Sequence, residues 1–188
     1  EGNKDLEERL HLYESLKFLW QEKSSEKDLV ENGDRVLKCY YSLPAVYQRI
    51  IDPLLMESIE GMARFQRRKL VCPSKIFQLK DLKDLEQYCY YVAGVVGIIL
   101  TRIFSLDEGI SPKKSELERY QVEFGLALQL TNILKDWQKD LKRGWCYLPY
   151  SITHKWNINL EKGLSQLQQI GIINDLIPWI LPYFDSAL

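Results

Sequence analysis

The stretch that decides the fold is Gln129-Leu-Thr-Asn132-Ile-Leu-Lys-Asp136-Trp-Gln-Lys-Asp140, which continues directly into Leu141-Lys142-Arg143-Gly144-Trp-Cys-Tyr147-Leu-Pro149. A helix turns by about 100° per residue, so Gln129, Asn132, Asp136 and Asp140 fall within one narrow arc, here called the acidic stripe. Beside it lies an apolar stripe of Leu126, Leu130, Ile133, Leu134, Trp137 and Leu141. The sequence therefore predicts an amphipathic helix with acids and amides along one line.

The acidic stripe has two interpretations. Two carboxylates four residues apart lie about one helical turn from each other, and oxygen ligands at that spacing suit Mg²⁺, particularly where a substrate phosphate supplies further oxygens. The alternative is a solvated helical face with an ordinary pair of acids. Gln129 and Asn132 favour the metal, because amides in an otherwise apolar run would cost a few kcal/mol if they were buried without partners.

The composition indicates one globular domain, so we expect residues 1–188 to form a single domain. The formal net charge is −1, from 25 basic and 26 acidic residues that are interspersed, which gives no electrostatic case for nucleic acid as a partner. The cysteines have neither a CxxC pair nor zinc-type spacing, which favours a reducing compartment and a cytoplasmic protein; they are Cys39, Cys72, Cys89 and Cys146.

The sequence predicts no membrane-spanning segment. The longest apolar run, Tyr90 to Leu100, is too short to cross a bilayer, and the polar opening Glu1-Gly-Asn-Lys-Asp does not look like a signal peptide. Because that opening lacks a starting Met, we expect the chain to be a fragment. The strongly apolar segment 176–184 would pack against another part of a complete protein, with peripheral membrane contact as the alternative.

Helical periodicity recurs along the whole chain, without a run of alternating strand type, an internal repeat or a low-complexity tract. The pattern predicts helices at about 4–21, 35–41, 44–68, 82–102, 115–142, 160–171 and 174–186, the last interrupted at Pro178 and Pro182. Residues 22–34, 106–113 and 150–159 are expected to be connections or irregular segments. The predicted fold class is all-α.

The helix predicted from Leu82 contains Tyr88-Cys-Tyr-Tyr91-Val-Ala-Gly94-Val-Val-Gly97-Ile-Ile-Leu-Thr-Arg102. A glycine inside a helix costs roughly 1 kcal/mol relative to alanine, so Gly94 and Gly97 need a reason. Either a neighbouring helix or a bulky substrate tail approaches closely there, and the sequence leaves both open. Tyr91, Gly94, Ile98 and Arg102 share one helical face, which would suit the wall of a pocket.

These segments together resemble the squalene/phytoene synthase family. The resemblance rests on segments 88–97, 102–104, 129–140 and 143–149, which stand in the family's order. The first segment is most similar to squalene synthases. The Lys-Arg-Gly and Tyr-Leu-Pro elements of 142–149 are more similar to bacterial phytoene and hydroxysqualene synthases.

The resemblance implies an all-α isoprenoid synthase fold, a helical bundle around a central apolar cavity. It also implies Mg²⁺-dependent head-to-head condensation of two prenyl diphosphates, farnesyl or geranylgeranyl diphosphate, through a cyclopropyl intermediate, with release of diphosphate. Physical chemistry agrees, because metal ions stabilise a departing diphosphate and aromatic faces in a dry cavity stabilise a carbocation. Family members that use NADPH bind it without a GxGxxG motif, so the use of this reductant stays open.

Carried over to this sequence, Asp136 and Asp140 would form the family's second aspartate motif and hold Mg²⁺, with Gln129 and Asn132 as polar supporters. Tyr91 would be the catalytic tyrosine near the carbocation, and Arg102 is a second catalytic candidate. The residues expected to contact substrate are Gly94, Val95, Ile98, Lys142, Arg143 and Tyr147.

The family's first aspartate motif has no counterpart in this chain, because family spacing would put it at or before residue 1. Asp5-Leu-Glu-Glu8 and Asp81-Leu-Lys-Asp84 have a different spacing. We therefore expect the chain to hold half of the metal site and to be inactive alone. Two competing hypotheses are a family member that has lost catalysis and acts as an assembly or interaction factor, and an ordinary helical bundle with coincidental motifs. The intact acidic stripe argues against the first of these.

Overall fold

The computed structural model describes residues 6–11 and 31–187, of which 6–11 are helical. The chain forms two compact units, Glu1–Ile51 and Asp52–Leu188. From residue 31 onward the helices are α1 (Gly33–Ser42), α2 (Ala45–Leu70), α3 (Leu82–Cys89), α4 (Val95–Phe104), α5 (Lys114–Lys142), α6 (Tyr150–Thr153) and α7 (Gln166–Ala187). A π-helical turn, Tyr90–Gly94, joins α3 to α4, and a 3-10 helix, Ser111–Lys113, precedes α5. The all-α prediction is confirmed, whereas the single-domain prediction stays a prediction.

Most predicted helices are found close to their expected bounds. The helix of the acidic stripe, α5, was expected at 115–142 and spans Lys114–Lys142. The helix expected at 44–68 is α2, Ala45–Leu70, and Pro53 lies inside it. The predicted helix at 4–21 is helical over 6–11, while the rest of it lies outside the described residues.

The prediction of two helices at 160–171 and 174–186 is wrong, because one helix, α7, covers Gln166–Ala187. Pro178 and Pro182 do not interrupt it, and both are exposed. A proline inside a helix removes one backbone hydrogen bond. Here the opposite face of α7 is deeply buried through Ile172, Leu176 and Ile180, and the burial of these side chains outweighs that loss.

Two short strands were not predicted. β1 (Phe77–Gln78) pairs in parallel with β2 (Trp145–Cys146), which directly follows α5. The Gln78 side chain extends this link, since its Nε2 donates to the Leu148 carbonyl at 2.8 Å and to the Thr153 hydroxyl at 2.7 Å. The segment after the acidic stripe is therefore anchored to the segment between α2 and α3.

The second half of α2 packs antiparallel to α3 and the π-helical turn. Along α2, Ser58 donates to the carbonyl of Tyr91 at 2.7 Å, and Phe65 meets the ring of Tyr88 edge-on. At the end of α2, the terminal guanidinium nitrogens of Arg68, Nη1 and Nη2, donate to the two carboxylate oxygens of Asp84, each at 2.6 Å. In the first unit, Gln48 donates to the Leu43 carbonyl at 2.8 Å, across the break at Pro44.

The helix formed by α3, the π-helical turn and α4 packs along α5 with backbone in contact with backbone. A Cβ added at Gly97 would overlap the carbonyl oxygen of Gln121, and one added at Gly125 would overlap the carbonyl of Ala93. Glycines at these positions let the two helices approach closely. Of the two reasons considered for Gly97, close approach of a neighbouring helix is the one observed.

Taken as one helix, Leu82–Phe104 is long and apolar enough to cross a membrane by length and composition. The prediction of no spanning segment rested on the shorter run from Tyr90 to Leu100 and did not anticipate this continuous helix. A core helix of a soluble protein meets the same criterion, so a single such helix is weak support for membrane insertion.

Candidate functional site

The acidic stripe lies along α5 as the periodicity predicted. Leu126, Leu130 and Ile133 of the adjoining apolar stripe are almost completely buried. Gln129, Asp136 and Asp140 are half-buried and Asn132 is exposed. Burial of the apolar stripe fixes the rotation of α5 about its axis and thereby turns the acids and amides away from the core.

Asp136 is paired within its own helix. Lys139 Nζ lies 2.7 Å from Asp136 Oδ1, and the Asp136 side chain is 32% exposed. The hydrogen bond from Lys139 holds the pKa of Asp136 below its ordinary value. Asp136 is therefore ionised at neutral pH, as a ligand for a cation must be.

Asp140 differs from Asp136 in that its carboxylate has neither a hydrogen bond nor an ion pair within residues 6–11 and 31–187. Burial raises the pKa of Asp140, the positive charge of Arg143 lowers it, and the negative charge of Asp136 raises it. A half-buried carboxylate without a partner is the kind of group that an added cation would stabilise.

An aromatic cluster of Tyr88, Trp145 and Tyr147 lies near Asp140. The rings of Tyr88 and Tyr147 stack at 4.4 Å, and those of Trp145 and Tyr147 stack at 5.4 Å. Burial raises the pKa of Tyr88, and the charge of Asp140 is among the influences that raise it further. The same two effects act on the pKa of Tyr147, against a lowering by its interaction with Tyr88.

Tyr88 and Trp145 were not among the predicted site residues, whereas Tyr147 was. The sequence signal for Tyr88 was present, because Tyr88 opens the same segment that contains Tyr91. What the sequence could not show is that β1 pairs with β2 and thereby brings Trp145 and Tyr147 against Tyr88.

The Tyr91 ring packs against α2. It covers Gly61 of α2, and the Tyr91 hydroxyl lies 3.4 Å from Nη1 of Arg64, whose guanidinium is also 5.9 Å from the ring centre. Arg102, in the last turn of α4, is exposed. The catalytic roles proposed for Tyr91 and Arg102 stay predictions.

Two of the predicted substrate contacts are packing positions in the structure. Val95 is completely buried, and a Cβ added at Gly94 would lie 3.1 Å from Leu126 Cδ1 and 3.3 Å from Val122 Cγ1, both on α5. Ile98 is half-buried. Substrate contact by these three residues stays a prediction.

An apolar surface adjoins the acidic stripe. On α5, Phe124 and Leu128 are exposed and precede Asn132 and Asp136 at intervals of four residues. On the neighbouring helix α4, Val96 and Leu100 are exposed as well. The row of residues spaced by four along α5, here called the line along α5, thus changes from apolar side chains to amide and acidic ones; it consists of Phe124, Leu128, Asn132, Asp136 and Asp140.

A cavity of about 600 Å³ opens at the apolar end of this line. It lies between α4 and α5, and its walls include Gly97, Leu100, Phe104 and Phe124. Gln121, a further wall residue, has a buried Oε1 with no hydrogen-bond partner in the described part of the chain. None of the four residues of the acidic stripe lines this cavity.

Lys142 and Arg143, both exposed, follow the acidic stripe at the end of α5. The charge of Arg143 lowers the pKa of both Asp136 and Asp140, which places its guanidinium within electrostatic reach of the stripe. Lys69 donates to the carbonyl of Arg143 at 2.9 Å and fixes this turn to the end of α2.

The model of the squalene/phytoene synthase family matches residues 3–187. This chain belongs to the squalene/phytoene synthase family. Its members are prenyltransferases of isoprenoid biosynthesis, so membership supports an enzyme of that kind.

Squalene synthases are among the chain's similar relatives. The enzyme of Dictyostelium discoideum is 30% identical over 168 residues, which make up 88% of this chain and 38% of that protein. The enzyme of Rattus norvegicus is 31% identical over 180 residues, 94% of this chain and 41% of that protein. The enzyme of Schizosaccharomyces pombe is 31% identical over 157 residues, 78% of this chain and 34% of that protein. The chain thus spans 34% to 41% of the length of these three relatives.

The fold agrees with a solved structure of the family. A structure described as the complex of TcSQS with the ligand BPH1237 superposes with a TM-score of 0.68 over 87% of this chain and 47% of that chain, at 24% identity. The predicted isoprenoid synthase fold is confirmed.

The donors of the acidic stripe fit part of a magnesium site. Within the described residues, no group of three or more His, Cys, Asp or Glu side chains lies together as a complete protein site would require. Mg²⁺, however, is commonly bound by one or two carboxylates together with substrate phosphates. Two carboxylates and two amides on one arc of α5, one carboxylate being unpaired, satisfy that smaller requirement.

Proposed function

We propose that the protein catalyses the Mg²⁺-dependent head-to-head condensation of two prenyl diphosphates, farnesyl or geranylgeranyl diphosphate, to a squalene- or phytoene-type product with release of diphosphate. The observation that supports this proposal is the line along α5. Phe124 and Leu128 are exposed apolar side chains, and Asn132, Asp136 and Asp140 follow them at intervals of four residues, along a row that winds around α5 by about 40° per step. A prenyl diphosphate has the same order of properties, an apolar chain followed by an anionic head.

Each part of this line has a role in the proposal. Asp136, Asp140 and the two amides of the stripe would hold Mg²⁺, which when bound neutralises the charge of a departing diphosphate. Leu100, Phe124 and Leu128 would bury the prenyl chain and exclude water from it. Arg143 would add a positive charge beside the diphosphate.

The aromatic cluster would contribute through its hydroxyl groups. The ring of Tyr147 is stacked between those of Tyr88 and Trp145, and the charge of Asp140 acts on the hydroxyls of both tyrosines. The Tyr88 hydroxyl is protonated at neutral pH as in any tyrosine, and burial raises its pKa further, so it can donate a hydrogen bond to an anionic group.

Product analysis of the full-length protein tests the proposal. The protein is incubated with Mg²⁺ and farnesyl or geranylgeranyl diphosphate, with and without NADPH, and the products are identified by mass spectrometry. We expect a C30 or C40 product whose formation falls at least about a hundredfold in Asp136→Ala, because a metal ligand is lost.

Glu118→Ala is the matched control, since Glu118 is an exposed acid on the same helix, about 27 Å along the helix axis from Asp136. Its activity should equal that of the unchanged protein. If the folded full-length protein turns over neither diphosphate, the proposal fails and the non-catalytic assembly factor takes its place. The two NADPH arms decide whether a reductant takes part.

We propose a cytoplasmic protein with peripheral membrane contact. An exposed apolar row on α7 supports this contact; it consists of Ile170, Ile173, Ile177 and Leu181. Flotation with lipid vesicles checks it, and Ile173→Ser with Ile177→Ser should abolish flotation while leaving the buried face of α7 intact.

A further inference from the structure

A second cavity, of about 800 Å³, lies at the C-terminal end of α5 on its apolar side. Trp137 and Leu141 form the wall contributed by α5, and the loop around residues 160–164 forms another wall. None of the four residues of the acidic stripe lines this cavity. It borders the site of the proposed function at Lys142 and Arg143, but its other walls lie on the Trp137 side of α5, away from the acidic stripe.

Positive charge is concentrated in this cavity. Lys75, Lys142, Arg143 and Lys162 line it, against a single acid, Glu161. In the part of the chain that the structure describes, none of these four cations takes part in an ion pair. The whole chain has a formal net charge of −1, so this excess is local. A cavity lined by one sign of charge focuses the field and attracts the opposite sign.

The cavity also has an apolar portion and free backbone donors. Trp137, Leu160 and Leu164 contribute apolar surface to its lining. The backbone N–H groups of Gly163 and Leu164, which line the cavity, donate no hydrogen bond within the described residues. Apolar walls with a few polar groups and a volume of this size are typical of small-molecule sites.

The position of the wall at Arg143 and Gly144 is fixed. Lys69 Nζ donates to the Arg143 carbonyl at 2.9 Å and lies 4.7 Å from the centre of the Trp145 ring. Gly144 has a φ of 76°, which a residue with a side chain rarely adopts. The turn that carries Arg143 into the cavity is therefore held in place before any ligand binds.

We propose that this cavity binds an organic diphosphate. The phosphate groups meet Lys75, Lys142 and Lys162, and the apolar or aromatic part of the ligand meets Trp137 and Leu164. Lysine ammonium groups and backbone N–H groups are both suited to phosphate oxygens. Nucleoside diphosphates and prenyl diphosphates share this chemistry, and the experiment distinguishes them.

Isothermal titration calorimetry of the full-length protein in EDTA tests the proposal. EDTA removes divalent cations, so the acidic stripe cannot hold a diphosphate through a metal ion. The probes are ADP, farnesyl diphosphate and adenosine. We expect one of the two diphosphates to bind, adenosine not to bind, and Lys75→Gln combined with Lys162→Gln to weaken binding by at least about tenfold through the loss of two charge-assisted contacts.

Two further variants make the result specific. Lys83→Gln removes an exposed lysine of α3 that does not line the cavity, and should leave the affinity unchanged. Asp136→Ala should also leave it unchanged, which separates this site from the proposed catalytic function.

The proposal is overturned if neither diphosphate binds at about 1 mM. Equal affinity of the double variant and the unchanged protein would overturn it as well. Because Lys75 and Lys162 are exposed, their replacement should not change the thermal unfolding curve, which is recorded alongside.

Discussion

At the scale of single residues, the pair between Arg68 and Asp84 connects the end of α2 to the first turn of α3. The Asp84 side chain is 11% exposed, and it accepts hydrogen bonds from both nitrogens of Arg68 and from the Lys80 backbone N–H. Asp84→Asn removes the charge of the buried partner and one of the two acceptors for Arg68. We expect a loss of about 2 kcal/mol in the free energy of unfolding, measured in urea, since the Arg68 side chain is 42% exposed and partly screened.

Glu118→Gln is the control, because Glu118 is an exposed acid whose ion pair among the described residues is with Lys114 at 3.8 Å. It should change the free energy of unfolding by less than about 0.5 kcal/mol. An equal effect of the two substitutions would contradict the assignment of Asp84 as a buried structural acid.

The same carboxylate predicts a pH dependence. Burial alone would raise the pKa of Asp84, but its hydrogen bonds from Arg68 and Lys80 hold the pKa below the ordinary 3.8. A depressed pKa in the folded state gives stability that is present above the ordinary pKa and lost as the pH falls through the lower, folded value. The difference in stability between the unchanged protein and Asp84→Asn should be constant from neutral pH to about 5 and shrink below about 4, as urea unfolding at each pH would show.

Tyr88 and Tyr91 offer a direct choice between the structural and the sequence-based assignment of the catalytic tyrosine. Tyr88 belongs to the aromatic cluster, and burial together with the negative charge of Asp140 raises its pKa. The Tyr91 hydroxyl instead lies beside Arg64 of α2. We expect Tyr88→Phe to lower kcat of the full-length enzyme at least about tenfold, because a hydrogen-bond donor is lost while the ring stack remains. Tyr91→Phe should change kcat less than about twofold. The reverse order would restore the prediction made from the sequence.

At the scale of elements, Gly97 decides how closely α4 and α5 pack. Gly97→Ala gains about 1 kcal/mol of helix propensity, but the added Cβ overlaps the backbone carbonyl of Gln121, which cannot rotate away. Overpacking of this kind costs typically 1–3 kcal/mol or more. We therefore expect net destabilisation of about 2 kcal/mol by thermal or urea unfolding.

Alanine substitutions at two other glycines serve as comparisons for Gly97→Ala. In Gly94→Ala the three atoms nearest to the added Cβ are side-chain carbons, at 3.0 to 3.3 Å, so the gain in helix propensity and the crowding should nearly cancel. Gly109→Ala lies in an exposed turn and should cost little. If Gly97→Ala is no worse than Gly94→Ala, the backbone contact between α4 and α5 is not as close as described.

The elements that the sequence predicted well are those whose pattern is long and undisturbed. Helix α5 repeats its apolar residues over almost thirty positions, so its period identified both the helix and the acidic stripe. Helix α7 was divided wrongly at 172–173, and its second part was expected to be interrupted at Pro178 and Pro182. Prolines favour a break because they remove backbone hydrogen bonds, whereas burial of Ile172, Leu176 and Ile180 stabilises the continuous helix.

The strands and the π-helical turn could not be predicted from periodicity at all. Each strand has two residues, and the pairing of Phe77 with Trp145 joins positions far apart in sequence. The turn at Tyr90–Gly94 lies where α2 and α5 both contact the same short segment. Such features arise from packing between elements. The apolar periodicity of one segment does not indicate which other segments it will contact.

At the scale of the whole molecule, the sequence predicted the acidic residues of the site, whereas the packing of the helices determines which apolar residues are exposed beside them. The oxygen donors of Asp136 and Asp140 were predicted from spacing and lie on one arc of α5. The substrate contacts were less predictable, because Val95 is in the core while Val96, its neighbour, is exposed beside Leu100. Consecutive residues of a helix point in directions about 100° apart. A motif alone therefore does not show which of its residues face a cavity and which are buried in the core.

The distribution of charge and apolar surface leads to a prediction for the chain by itself. Within the described residues the acidic stripe offers two carboxylates, and no group of three metal-binding side chains completes it. The apolar surface beside it is open, with Leu128 51% exposed and Val96 44% exposed. Neither charge neutralisation nor exclusion of water is complete in such an arrangement, and both are needed to ionise a prenyl diphosphate.

We therefore expect residues 1–188 alone to form no detectable product from farnesyl or geranylgeranyl diphosphate with Mg²⁺, under conditions in which the full-length protein turns over. Circular dichroism with a cooperative thermal transition shows that the chain is folded, so that inactivity is not a consequence of unfolding. Binding of a hydrophobic dye should be stronger to the chain than to the full-length protein and should weaken in Leu128→Ser, because this side chain contributes to the open surface. Product formation by the chain alone would mean that Asp136 and Asp140 suffice as the acidic ligands of the reaction.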